Sequence, residues 1–192
     1  VTGVHTCALP ITAIALLVIE GFILLGSFMT IFNYIGFRLQ GAPYNLSHWV
    51  AGLVFLVYPI GSFASAYMGK LAGRHGRGRM LTASLVIMLA GLAILVPETL
   101  ATIALGLAVV TFGFFGAHAI SSSWAPALVE RDKAQASSLY LLLYYIGGGV
   151  AGSIGGVFWA GQGWIGITLF SGAMMLATLA CVLLLARIAP VK

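Results

Sequence analysis

Six long apolar runs, parted by short polar or glycine- and proline-marked breaks, make up nearly the whole chain. They cover Ile11–Arg38, Leu46–Tyr67, Met80–Val96, Thr99–Trp124, Ala134–Trp159 and Trp164–Arg187. A helix needs roughly 20 apolar residues to cross the hydrocarbon core of a bilayer. All the runs but the third reach that length, and the third can borrow from its flanks. A membrane β-strand would instead alternate polar and apolar positions over about ten residues. The pattern therefore predicts an all-α membrane protein of six transmembrane helices. Pro43, Pro97 and the Gly161–Gln162–Gly163 triplet mark its outer connections.

Composition removes the water-soluble alternatives. The chain is 61% hydrophobic and 7% charged, whereas a soluble domain carries roughly a quarter of its residues as charges. The net charge of +5 does not imply a nucleic-acid partner, because the cations sit in short connections and form no basic face. Cys7 and Cys181 lie at opposite ends without metal-ligand spacing. They read as small hydrophobes, and neither a metal nor a cofactor is expected.

The placement of the cations predicts orientation. Lys70, Arg74, Arg77 and Arg79 follow the second run, Arg131 and Lys133 the fourth, and Arg187 and Lys192 the sixth. Arg38 alone is left for the opposite side. Cytoplasmic connections carry the excess of Lys and Arg, so both termini are expected in the cytoplasm of a multi-pass inner-membrane protein. The first ten residues, VTGVHTCALP, have neither a charged n-region nor a signal-peptide layout. We read residues 1–10 as a non-native or linker segment, and 11–192 as the six-helix domain.

Residues 69–81, GKLAGRHGRGRML, sit between the second and third runs. Their order resembles the signature loop of the major facilitator superfamily, G-x-L-A-D-R-x-G-R-R-x-x-L, at Gly69, Leu71, Ala72, Arg74, Gly76, Arg77 and Leu81. The sequence departs from it at Gly73, where that family has Asp, and at Gly78, where a cation is usual. The segments GSFMTIFNYIGFRL, FFGAHAISSSW and QASSLYLLLYYIGGGVAGSIGGVFW are similar to the arabinose-efflux-permease-like branch of bacterial inner-membrane efflux transporters. The resemblance implies one half of a twelve-span fold, built as a 3+3 inverted repeat. The lost Asp points to the C-terminal half, with an N-terminal six-helix half as its partner. It also implies that Gly69, Arg74, Gly76 and Arg77 form a cytoplasmic loop able to latch helices together, with Gly69 permitting a close helix approach and Gly76 and Gly78 a tight turn. From charge bias alone, the same loop is a topology anchor.

Glu20 is the one acid inside a span, and a charge there costs at least ~2.5 kcal/mol. At 100° per residue, Glu20, Ser27, Thr30 and Tyr34 share a stripe of the first helix. Thr111, His118, Ser121 and Ser122 form another on the fourth, beside Phe114 and Phe115. The resemblance implies that these two helices line the substrate cavity, where Glu20 could exchange protons and His118 could relay them or meet an anion. Alternatively, Glu20 snorkels to the headgroups and His118 only bonds a neighbouring helix. Gly148, Gly152 and Gly156, spaced by four, read as a packing face. Tyr140 and Tyr144 on the same helix either stack on a ligand or belt the interface, and Pro59 bends the second helix. No P-loop is present, so transport would draw on an ion gradient: proton-coupled efflux of a small organic molecule, drug or sugar-like. Two other readings stay open, a non-transporting six-span protein (channel subunit or scaffold) and a half-size transporter working as a homodimer. The connections are too short for a channel's re-entrant filter.

Overall fold

The computed structural model describes the backbone of residues 2–188 and the side chains of residues 11–187. The expectations placed on Val1, Cys7 and Lys192 lie outside these limits. The first helix, α1 (Thr2–Gln40), begins upstream of the expected Ile11. α2 follows as His48–His75, α3 as Arg77–Ile94 and α4 as Leu100–Leu128. The last element, Lys133–Ile188, leaves helical geometry at Gly163 (φ 58°, ψ −138°). We number its arms α5 (133–162) and α6 (164–188).

By continuity there are thus, among the described residues, five helices long and apolar enough to cross a membrane, not six. Geometry divides the fifth into two. Residues twelve apart in one helix would lie about 18 Å apart, yet the Phe158 and Phe170 rings stack at 4.4 Å between centroids. The chain folds back at Gly163, because a positive φ costs a glycine nothing.

Helix ends follow from local chemistry. Ser47 and Thr99 cap α2 and α4, each side chain accepting from the N–H three residues on. Pro59 has no N–H to give to the preceding turn, and a 3-10 stretch, Leu53–Val57, stands just before it. The stretch 69–81 is not the loop its polarity suggests. α2 continues through Lys70 and Arg74 to His75, Gly76 alone breaks it at φ 92°, and α3 starts at Arg77. Hydropathy marks where apolar surface ends, whereas Lys, Leu, Ala and Arg continue a helix readily into water.

α1 lies along α5, and α4 packs against both α2 and α3. These contacts are tight because small residues let backbones approach. A Cβ at Gly147 on α5 would fall on the Phe22 carbonyl of α1. One at Gly113 on α4 would stand 2.5 Å from the Met88 nitrogen of α3.

Candidate functional site

A cavity of about 520 Å³ opens among α1, α2, α4 and α5. α1 contributes Leu25, Phe28 and Met29, α2 Tyr58, and α4 Phe114, Phe115 and His118. α5 contributes Tyr144, Tyr145, Gly148 and Gly149. Four of the rings lie nearly parallel: Phe28 on Phe114 (centroids 3.9 Å apart, 14°), Phe114 beside His118 (6.3 Å, 7°) and His118 on Tyr144 (4.4 Å, 25°). Phe115 stands edge-on to Phe28 (87°).

Of the residues expected from the polar stripes, His118 reaches this cavity. Its Nδ1 shares a 3.2 Å hydrogen bond with the Tyr140 hydroxyl, the donor being set by the imidazole tautomer. Tyr140 is fully buried, and its ring lies on α1 where a Cβ at Gly21 would stand 2.6 Å from Cε2. Next to it, Glu20 is also fully buried. Ser121 stands beside the Glu20 carboxyl, yet neither carboxyl oxygen nor the Ser121 hydroxyl engages in a formed hydrogen bond. Glu20 therefore does not snorkel to the headgroups. It sits behind the cavity wall, close to Tyr140, whose hydroxyl bonds His118.

The rest of the α1 stripe does not line the cavity. Ser27 donates to the Ile23 carbonyl at 2.8 Å. Thr30 donates to the carbonyls of Gly26 (2.8 Å) and Ala151 (3.2 Å), and Tyr34 to that of Gly152 at 3.1 Å. The glycines of α5 bring its backbone near enough for the Thr30 and Tyr34 hydroxyls to bond across to it, while that of Ser27 is spent on its own helix. Leu25, Phe28 and Met29, on another face of α1, meet the cavity instead. On α4, Thr111 is buried without a hydrogen-bond partner, and Ser122 donates back to Ala119 at 3.4 Å. Neither lines the cavity.

The expected packing glycines all face α1. Beside the position a Cβ would take lie Leu25 at Gly148, Asn33 at Gly152 and the Tyr34 hydroxyl at Gly156. The close backbone contact is at Gly147, one position earlier. At Gly69, by contrast, nothing stands within 4 Å, so the close approach expected there is not made. Gly78 is helical and buried rather than part of a turn. Arg74 is exposed and Arg77 half-buried.

Arg38 is the residue that sequence reasoning undervalued. It is buried, and it donates to the carbonyls of Leu95 (2.6 Å), Val96 (3.2 Å) and Pro97 (3.0 Å) at the free end of α3. Its guanidinium lies over Trp164 at 4.7 Å, and Trp164 Nε1 donates to the same Leu95 carbonyl at 3.0 Å. The planar fork satisfies three successive carbonyls just past the last residue of α3 while tying α1, α3 and α6 together. A lone Arg closing an apolar run was the signal available. Among the described residues, no three His, Cys, Asp or Glu side chains come together as a metal site would require.

No family model matches the chain. The uncharacterized MFS-type transporter YybF of Bacillus subtilis is 42% identical over 159 residues, 83% of this chain. The inner membrane transport protein YnfM of Escherichia coli is 43% identical over 164 residues, 85% of this chain. The chain is a homologue of MFS-type transporters. It spans 39% of the length of both relatives. The crystal structure of the POT family transporter PepTSo matches 91% of the chain with a TM-score of 0.75 at 16% identity, over 37% of its own length. That likeness concerns the fold. The helices described above are those of a multi-pass membrane protein, arranged as in part of a known transporter.

Proposed function

We propose that this chain is the C-terminal six-helix half of a secondary transporter of the bacterial inner membrane. The whole protein exports a small organic molecule by alternating access in exchange for protons. One observation carries the reading: a fully buried carboxyl, Glu20, without a formed hydrogen bond, stands close to Tyr140, which bonds His118 in the wall of a cavity of about 520 Å³. An unpaired charge in such a place costs several kcal/mol. Glu20 therefore holds a proton while the site is closed, and releases it when the cavity opens to water and solvent can take up the charge. Tyr140 lies close enough to Glu20 to feel its charge and is bonded to His118 in the cavity wall, so a change of charge at Glu20 acts on the pair that meets the ligand.

The names of the relatives support transport as the activity. The cation-rich stretch from Lys70 to Arg79 supports cytoplasmic termini, since such excess stays on that side. It also lies where a latch between helix ends would act. A six-helix half presents its cavity on an open face, so an N-terminal half of the same size completes it.

The test is Glu20→Gln in the intact transporter that carries this chain, reconstituted in vesicles with a pH-sensitive dye inside. We expect substrate counterflow to persist and substrate-driven proton flux to vanish. Unchanged proton flux would remove Glu20 from the coupling mechanism.

A further inference from the structure

The cavity wall is chemically one-sided. Seven of its eleven residues carry aromatic or imidazole rings, and the remainder are Leu25, Met29 and two glycines. It holds no carboxylate, ammonium or guanidinium; its polar atoms are three tyrosine hydroxyls and His118. The Nδ1 of that imidazole is already bonded to Tyr140, which leaves one ring nitrogen for a ligand. Sugars need many hydrogen-bond partners, because each hydroxyl buried without one costs about 1–3 kcal/mol. The part of the wall that this chain builds does not supply them. Oligoanions need cations, and the wall has none.

The rings are also held in place. The Phe28, Phe114, His118 and Tyr144 rings support one another in a nearly parallel series. Phe115 is fixed against α2, where any side chain at Gly61 would run into it. A preformed wall of π faces and edges, about 520 Å³ in extent, matches the small-molecule range of roughly 300–1,000 Å³. We infer that the ligand of this cavity is a flat aromatic molecule that lays its ring against Tyr144, Tyr145 and Phe115 and turns one hydrogen-bonding group to His118. This rests on the reading of the cavity as the transport site, and it chooses between the drug-like and sugar-like substrates that the sequence left open.

The experiment is equilibrium dialysis of the intact transporter that carries this chain in lipid nanodiscs, with binding to empty nanodiscs subtracted. The probes are 2-naphthol, decahydro-2-naphthol and L-arabinose. The first two share size and hydroxyl group and differ in the π system. Saturable binding of 2-naphthol, about tenfold weaker for the saturated alcohol and absent for arabinose, is the expected result. Tyr144→Leu should weaken 2-naphthol binding about fivefold. Tyr145→Leu should weaken it too, and since Tyr145 is 67% exposed its loss leaves the core intact. Tyr67→Leu, outside the cavity, should change nothing. Equal binding of the two alcohols, no saturable 2-naphthol binding, or binding of arabinose would each overturn the inference. A transport arm separates the two claims. If 2-naphthol binds as described but is not moved by the intact transporter, the transport reading fails and the ligand class stands.

Discussion

Gly147→Ala and Gly149→Ala are the same substitution, two residues apart on α5, and the structure assigns them opposite signs. At Gly147 the added carbon would fall on the Phe22 carbonyl of α1, with the carbonyl carbon at 2.6 Å and the Phe22 Cα at 2.7 Å. All three are backbone atoms of a helix, so no rotamer change relieves the clash. α1 and α5 must part by about 0.8 Å before the carbonyl carbon regains the 3.4 Å of ordinary contact. Parting them also stretches the Thr30 bond to Ala151, 3.2 Å, and the Tyr34 bond to Gly152, 3.1 Å. Overpacking costs about 1–3 kcal/mol, and the unyielding partners place this case at about 3 kcal/mol. At Gly149 nothing lies within 4 Å, so alanine there gains up to about 1 kcal/mol from helix propensity alone. Titrating detergent-solubilised protein with SDS, and following the fluorescence of its 4 tryptophans, measures both. If the two variants shift in the same direction by similar amounts, α1 and α5 do not meet backbone to backbone, and the account of why the α1 hydroxyls miss the cavity fails with it.

Other substitutions probe separate features. Arg38→Leu should cost about 2–4 kcal/mol in the same titration, because the carbonyls of Leu95, Val96 and Pro97 lose their donor in a buried place; a loss under 0.5 kcal/mol would show that water replaces the guanidinium. Gly163→Ala forces a non-glycine residue to φ 58° and should cost about 1–2 kcal/mol, read as an earlier unfolding midpoint; no shift would mean the hairpin closes some other way. Gly73→Asp restores the acid of the signature pattern at an exposed position with nothing within 4 Å. It should leave stability within about 0.5 kcal/mol of the parent, and a larger drop in yield or midpoint would contradict the open space described there.

The chain's one-dimensional pattern showed an all-helical membrane protein and what its spans are made of, while the division of the last apolar stretch at Gly163 came from the backbone. A bilayer tests length and apolarity, and both are visible residue by residue. The resemblance of residues 69–81 to a signature stretch likewise needs order alone. Which face of α1 meets the cavity was beyond that reading. In a soluble helix the buried face is the apolar one. In a membrane, lipid and protein interior are both apolar, so Ile19, 47% exposed, and Leu24, 1% exposed, look alike in sequence. The polar stripe Glu20, Ser27, Thr30 and Tyr34 was real, but its hydroxyls face the carbonyls of their own helix and of α5. For Thr30 and Tyr34 that use was decided by glycines more than 110 positions away. The phase of those glycines was ambiguous too, because Gly147, Gly148 and Gly149 run consecutively and only packing selects the one in backbone contact. Arg38 shows the same limit. As a letter it is the last cation left over from a charge count; in the fold it is the donor that closes α3 onto α1 and α6, because its partners are backbone carbonyls, which no sequence displays.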